Sequence, residues 1–336
     1  MKIFVDAMGG DFAPQAPVEG AIEALRRYPQ IQVVLAGVIP EIEKYLVNCE
    51  DVRSRIELLD APEVITNEES PVMGVRRKVN SATVKGMLAL RDKEADGFVS
   101  AGSTGAVLAG GMFRLGRING IERPALAPML PNGKGYVLLI DCGANVDCKP
   151  DYLVQFGMMG SAYMQGVMQM ENPRVGLVNI GAEAEKGNAL VKETYPLMET
   201  APYNFVGNVE ARDVMADVAD VLVADGFSGN LILKNTEGVA MALLKIIKGE
   251  MMADTRGKIA GLIGKPAFKR VKQLMDYTEV GGAPLLGVQG AVVKAHGSSN
   301  AHAFSCAIGQ LIKMVDGKVV EIIEKGVSAL APQKNA

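Results

Sequence analysis

Residues 1–11, MKIFVDAMGGD, decide the architecture: the apolar run Ile3–Val5 stops at Asp6 and breaks at a glycine pair before Asp11. An aliphatic run without polar alternation is how a strand buried on both faces reads. Glycine and aspartate directly after it mark a turn. A helix-like stretch, Pro17–Tyr28, comes next, then a second run at Gln32–Ala36, a helix-like Pro40–Val47 and a third run at Ile56–Leu59. Strands alternating with helical stretches predict βαβ units and a mainly parallel sheet.

The pattern continues along the chain. Strand-like runs fall at Gly97–Val99, Tyr136–Ile140, Val175–Val178, Phe205–Val206 and Val221–Ala224, with Tyr152–Met170 and Asn230–Met252 among the helical stretches between them. No internal repeat, low-complexity tract or linker interrupts residues 1–336, so a single α/β catalytic domain is expected. About half the 336 residues are apolar, only 5% are aromatic and tryptophan is absent. Packing therefore falls to Val, Ile, Leu, Met and Ala, which suits covered parallel sheets.

The net charge of -3 offers no bulk attraction to nucleic acid. Cys49, Cys142, Cys148 and Cys306 show neither Cys-x-x-Cys spacing nor the density of a disulfide scaffold. Reduced thiols in a cytoplasmic protein are the expectation. The first residues form no secretory h-region, and no run reaches the roughly eighteen uninterrupted apolar residues of a spanning helix.

The loops that close these runs carry the functional signal. Phe98-Val99 leads into Ser100-Ala-Gly-Ser-Thr-Gly105, and Leu139-Ile140 into Asp141-Cys-Gly-Ala-Asn145. Leu177-Val178 leads into Asn179-Ile-Gly-Ala-Glu183, Phe205-Val206 into Gly207-Asn-Val-Glu210, and Val223-Ala224 into Asp225-Gly-Phe-Ser-Gly-Asn230. Any one such loop is ordinary turn and cap chemistry. Six of them, counting Asp6–Asp11, gathered at the carboxyl edge of a parallel sheet predict a ligand site there.

Gly102, Ser103, Thr104 and Gly105 join a strand to a helix, where free N–H groups and hydroxyls can cradle phosphate. Neither dinucleotide nor P-loop fingerprint is present. Lys186 is a lone cation among glycines beyond a strand end, placed to attract phosphate or a developing oxyanion, unless it is simply a solvated surface lysine. Ser228 and Asn230 can cap the adjoining helix, donate to a carbonyl or phosphate oxygen, or do both. His296 sits in a glycine–serine loop beside Lys294, which suits an anion. His302 and Cys306 lie four apart on a predicted helix, but no nucleophile elbow surrounds Cys306, which argues against thiol catalysis. No clustered His/Cys pattern points to a metal.

One segment departs from the average charge. Lys245 to Lys272 holds eight basic residues against two acidic ones, a local +6. Its helical halves are expected to meet at RGKIAGLIG, residues 256–264, as an apolar tip rimmed by cations. A helical hairpin over 234–277 is therefore predicted. Lys258, Leu262, Lys265, Lys269 and Lys272 are its candidates for docking an acyl carrier protein or an anionic membrane, with a dimer contact as the rival reading.

The segments VDAMGGD (5–11), PVMGVRRKVNS (71–81), SAGSTGA (100–106), RPALAP (123–128), DCGANVDCKP (141–150), GNVEARD (207–213), DGFSGN (225–230) and KAHGSS (294–299) resemble the bacterial acyl-ACP:phosphate acyltransferase (PlsX) family of phospholipid synthesis. They span nearly the whole chain in the expected order. Phe12 stands where that family commonly has histidine, and Cys142 where it commonly has valine, so neither side chain is expected to be catalytic.

The resemblance implies a three-layer Rossmann-like sandwich similar to phosphotransacetylases and isocitrate/isopropylmalate dehydrogenases. It also implies a homodimer without cofactor, acting on acyl carrier protein and inorganic phosphate. Its expected place is the cytoplasm or the inner face of the membrane, beside a glycerol-3-phosphate acyltransferase. Phosphate is already an anionic nucleophile, so the reaction needs charge neutralisation and a stabilised oxyanion rather than a Ser or Cys intermediate. Lys186, Asn230 and His296 are the catalytic candidates. The rivals are a CoA-dependent phosphotransacetylase, a decarboxylating dehydrogenase and a non-catalytic membrane scaffold.

Overall fold

A computed structural model describes residues 1–275 and 281–330, excluding the side chains of 272–275. The first half runs β1 (Lys2–Asp6), α1 (Gln15–Arg27), β2 (Gln32–Gly37), α2 (Ile39–Glu43), β3 (Ile56–Asp60), α3 (Pro71–Arg77), α4 (Ala82–Arg91), β4 (Gly97–Ser100) and α5 (Thr104–Gly110). A wider helical turn, Gly111–Leu115, extends α5. Then come β5 (Ala125–Leu126), β6 (Met129–Pro131), β7 (Tyr136–Ile140), α6 (Pro150–Met168), β8 (Arg174–Asn179), α7 (Ala189–Glu199), β9 (Asn204–Glu210) and β10 (Val221–Val223). The long helices α8 (Gly226–Ala253) and α9 (Thr255–Met275) precede β11 (Ala283–Leu286), β12 (Ala291–Lys294), α10 (Ala301–Asp316) and α11 (Val319–Leu330).

The strands form two sheets where the run of apolar segments suggested one. The first has the order β3-β2-β1-β4-β12-β11-β5 and the second β6-β7-β10-β8-β9. Among the described strands, antiparallel pairing is confined to β11 with β12, β11 with β5, and β6 with β7. Both faces are covered, which is why the strands read as unbroken aliphatic runs. Along β1, Ile3 and Val5 pack into the core shared with α1 and α10, while Phe4 turns to the opposite core beside Phe98. In the second sheet Val221 and Val223 join that shared core, and Leu222 faces the smaller cluster under α8. The result is the α/β sandwich expected of the chain.

The two sheets meet where β5 approaches β7. Cys142 N–H bonds to Leu126 carbonyl at 3.0 Å, and the Asp141 carboxylate accepts Leu126 N–H at 3.0 Å. The strand ends facing this junction bound a large cleft.

The helical hairpin differs in one respect from expectation. Its break lies at Asp254, not over 256–264, because Asp254 takes extended backbone and its Oδ1 accepts Gly257 N–H at 2.6 Å. That is an N-cap, and the glycines at 257, 261 and 264 fall inside α9. Leu262 and Ile263 remain exposed, at 74% and 76%, on the helix flank rather than in a turn. Residues 276–277 of the expected hairpin lie outside the described residues.

Candidate active site

The cleft, about 690 Å³, is lined by the carboxyl ends of β1, β4, β12 and β7, by the loop 63–67 and by α8. At its floor Asp6 is buried and holds three separate segments. Its Oδ2 accepts the hydroxyls of Ser100 (2.8 Å) and Thr83 (3.2 Å), and its Oδ1 accepts Met8 N–H (3.1 Å). Burial raises its pKa; those hydrogen bonds and nearby Lys294 pull the other way. The β1 and β4 loops touch so closely that a Cβ on Gly9 would sit 2.6 Å from Gly102 N. Only glycine permits that approach, and it leaves a backbone-lined hollow suited to an anion.

Lys294 ends β12 and points into this hollow's wall. It is 8% exposed, and its Nζ donates to the carbonyls of Ala101, at 3.3 Å, and Ala295. Burial lowers its pKa to about 8 against the pull of Asp6 and Asp11. A cation held by neutral carbonyls and partly stripped of water interacts strongly with any anion that enters. Two residues on, His296 Nδ1 accepts Ser298 N–H at 3.2 Å and lies 2.7 Å from Ser298 Oγ. Its proton therefore sits on Nε2. Burial, with Lys234 nearby, lowers the pKa of His296 and favours this neutral form.

Helix α8 brings Asn230, Leu233, Lys234 and Glu237 to the opposite wall. Its N-cap is Asp225, which accepts Ser228 N–H and Ser228 Oγ–H, both at 2.8 Å. Asn230 stands one turn into the helix, opposite Gly143, and does not cap it. The helix start seats directly on β7, since a Cβ on Gly229 would meet Asp141 O at 1.9 Å. Asp141 in turn accepts N–H groups of Leu126, Ala144 and Asn145 and the Asn145 amide, and burial raises its pKa to about 6.

Of the residues singled out from sequence, the cleft brings together Gly102, Ser103, Thr104, Asn230 and His296. Gly105 lies just behind, packed against Pro71. Ser228 lines a separate depression of about 310 Å³ with Asp147, Cys148, Asn188 and Asp225, where two carboxylates disfavour phosphate. Lys186 lines neither hollow: it is exposed after β8, and its carbonyl accepts Asn179 Nδ2–H. Lys258, Leu262, Lys265 and Lys269 lie on α9, and the side chain of Lys272 lies outside the described residues. His302 Nε2 and Cys306 Sγ do approach, at 3.7 Å, but neither lines the cleft. Among the described residues no group of three His, Cys, Asp or Glu side chains is arranged to hold a metal, and no helix is long and apolar enough to cross a membrane.

Lys294 is the residue that sequence reading passed over in favour of its neighbour. The signal was present, for Ala291-Val-Val-Lys294 is a buried strand parallel to β4, and a lysine closing it must lie at the carboxyl edge.

A family model described as "Fatty acid synthesis protein" matches residues 1–322. A phosphate acyltransferase of Alkaliphilus oremlandii (strain OhILAs) is 52% identical over 330 residues, 98% of each chain. One of Clostridium kluyveri (strain NBRC 12016) is 50% identical over 324 residues, 96% of this chain and 97% of that protein. Among solved structures, a phosphotransacetylase from Streptococcus pyogenes superposes with a TM-score of 0.61 at 15% identity, covering 96% of this chain and 94% of that one. A branched-chain phosphotransacylase from Enterococcus faecalis V583 gives 0.59 at 12% identity, covering 94% and 99%. These structural likenesses establish the Rossmann-like sandwich; identity near one half along nearly the entire length establishes more. The chain is an enzyme and belongs to the fatty acid synthesis protein family, the PlsX family of phosphate acyltransferases.

Proposed function

We propose that the enzyme transfers a fatty acyl group from an acyl carrier protein thioester to inorganic phosphate, giving acyl phosphate for phospholipid synthesis. The observation that carries this reading is the coexistence, in one cleft, of a small hollow walled by glycine backbone and Lys294 and a further space with apolar residues in its lining. Phosphate fills only the hollow between Gly9, Gly102 and Lys294. Ile65, Leu126, Met129 and Leu233 line space for the acyl chain and its thiol arm.

In this reading the Gly102–Thr104 segment and Lys294 hold phosphate and offset its charge as one oxygen approaches the thioester carbon. Asn230 donates its amide N–H to the oxyanion of the tetrahedral intermediate. The C–O bond forms, the C–S bond breaks, and the thiolate leaves on an arm whose thiol pKa is near 8.5, so it needs little acid assistance. His296 Nε2–H donates to phosphate or to the departing sulfur. Lys186 is given no contact with the reacting groups. The basic, apolar-flanked α9 contacts an anionic lipid surface, and the working unit is a homodimer.

Phosphate-dependent loss of thioester from a long-chain acyl carrier protein tests the reading, with acetyl-CoA assayed in parallel. Turnover of acetyl-CoA but not the carrier-bound substrate would favour a CoA-dependent phosphotransacetylase. No phosphate dependence with either would end the proposal.

A further inference from the structure

Residues 71–81, PVMGVRRKVNS, take no part in the chemistry above, yet they adjoin the cleft, and Ser81 lines it. A Cβ on Gly105 would lie 2.5 Å from Pro71 Cγ, and one on Gly74 would lie 2.7 Å from Ile65 Cγ2. Thr104 and Ile65 both line the cleft. The inner face of α3 thus packs against residues that line the cleft, and its outer face lies one helix width away.

That face is apolar and basic together. Val72, Met73 and Val79 are exposed, as are Arg76 and Arg77. Arg114 donates to the carbonyls of Val75 (2.9 Å) and Arg76 (3.2 Å), which sets Phe113, 62% exposed, beside them. Lys78 is balanced by Glu69 at 2.6 Å, whereas among the described residues no ion pair engages Arg76 or Arg77. The two arginines thus present uncompensated charge next to greasy surface, the arrangement that captures an acidic partner and fixes its register.

We propose that Val72, Met73, Arg76, Arg77, Val79 and Phe113 form the docking surface for the acidic acyl carrier protein, a proposal that rests on the donor named above. Reach decides between this rim and the far end of the α8–α9 hairpin. The carrier stays outside while its thiol arm enters. That arm is about as long as five extended residues, about 18 Å. From Asn230 in the cleft to Ala253 at the hairpin's end an α-helix rises about 35 Å, beyond the arm's length. The α3 rim adjoins residues that line the cleft itself.

The test compares Arg76→Glu/Arg77→Glu with the unmodified enzyme on two donors, long-chain acyl carrier protein and the same acyl group on free pantetheine. We expect KM for the carrier substrate to rise at least about tenfold, with the gap narrowing as salt screens it, while kinetics on acyl-pantetheine stay unchanged. The milder Arg76→Gln/Arg77→Gln should show a smaller shift in the same direction. Arg256→Glu/Lys258→Glu at the hairpin's far end should leave the carrier KM unchanged. An unchanged carrier KM in the α3 variants overturns the proposal. So does an equal loss on both donors, which would make the rim part of the fold or the cleft. If the unmodified enzyme consumes acyl-pantetheine but not the carrier thioester, the donor assignment fails instead, whatever the arginines do.

Discussion

Lys294 is the residue at which burial, charge and chemistry meet. Its folded pKa, about 8, lies below the usual lysine range, near 10.4 in an unfolded chain. Below pH 8 the native state bears the full cost of a buried charge. As pH rises from 8 toward 10.4 the unfolded chain holds more protons, so this group's effect on stability becomes more favourable. Activity runs the opposite way, because the neutral amine cannot offset phosphate. We expect kcat/KM for phosphate to fall as pH rises through about 8. Lys294→Met should lower turnover at least about a hundredfold, the scale of losing an oxyanion donor, and leave the melting temperature equal or higher. A pH–rate profile unaltered by the substitution would refute the role.

Asn230 and Lys186 complete that scale. Since Asp225 supplies the cap, Asn230→Asp does not alter capping, and a carboxylate near the helix N-terminus is tolerated. It does place negative charge across the cleft from Lys294. The expected outcome is a large loss of kcat and a raised phosphate KM with unchanged thermal unfolding. Normal phosphate kinetics would exclude Asn230 from the reacting centre. Lys186→Ala should cost less than Lys294→Met in the same assay. The reverse order would return the phosphate cation to the β8 loop.

At the scale of elements, the hairpin is a lever whose flank is left uncovered. Met241, Ile246, Ile259, Leu262 and Ile263 are all more than half exposed in the single chain, amid lysines. Exposed apolar surface of that extent marks contact with lipid or protein. Leu262→Glu should abolish binding to anionic liposomes while leaving a folded, active enzyme of unchanged oligomeric state. If sedimentation instead finds monomers, or the protein unfolds, the flank belongs to a subunit interface and the lipid contact is wrong.

At the scale of the molecule, Asp141 joins the two sheets and seats α8. Asp141→Ala leaves the buried N–H of Leu126 without its acceptor, a loss costing about 1–3 kcal/mol, and frees the partly buried N–H groups of Ala144 and Asn145 at smaller cost. We expect a lower urea midpoint with an unchanged slope, together with reduced kcat, because the cleft is bounded by both sheets. A stability unchanged within about 0.5 kcal/mol would show that the junction does not depend on this carboxylate.

Much of this was legible from one chain of letters. Unbroken aliphatic runs between amphipathic stretches specify covered parallel strands, and the glycine–polar loops after Ile3–Val5 and Phe98-Val99 mark the edge where ligands gather. These are local properties, carried by burial pattern and turn chemistry within a dozen residues. What the letters could not give was which loops meet. Lys186 and Lys294 both stand near glycines at strand ends, and only the strand order separates them. β12 pairs with β4 across nearly two hundred residues of chain, which delivers Lys294 beside Asp6 and Gly102. β8 lies beyond β10 in the second sheet, two places from β7, and its loop does not line the cleft. The hairpin break was misplaced for a similar reason: a run of glycines suggested a turn, but Asp254 capping Gly257 ends one helix and starts the next. Local sequence determines strand, turn and cap, whereas a binding site is a meeting of distant segments, and long-range pairing alone decides it.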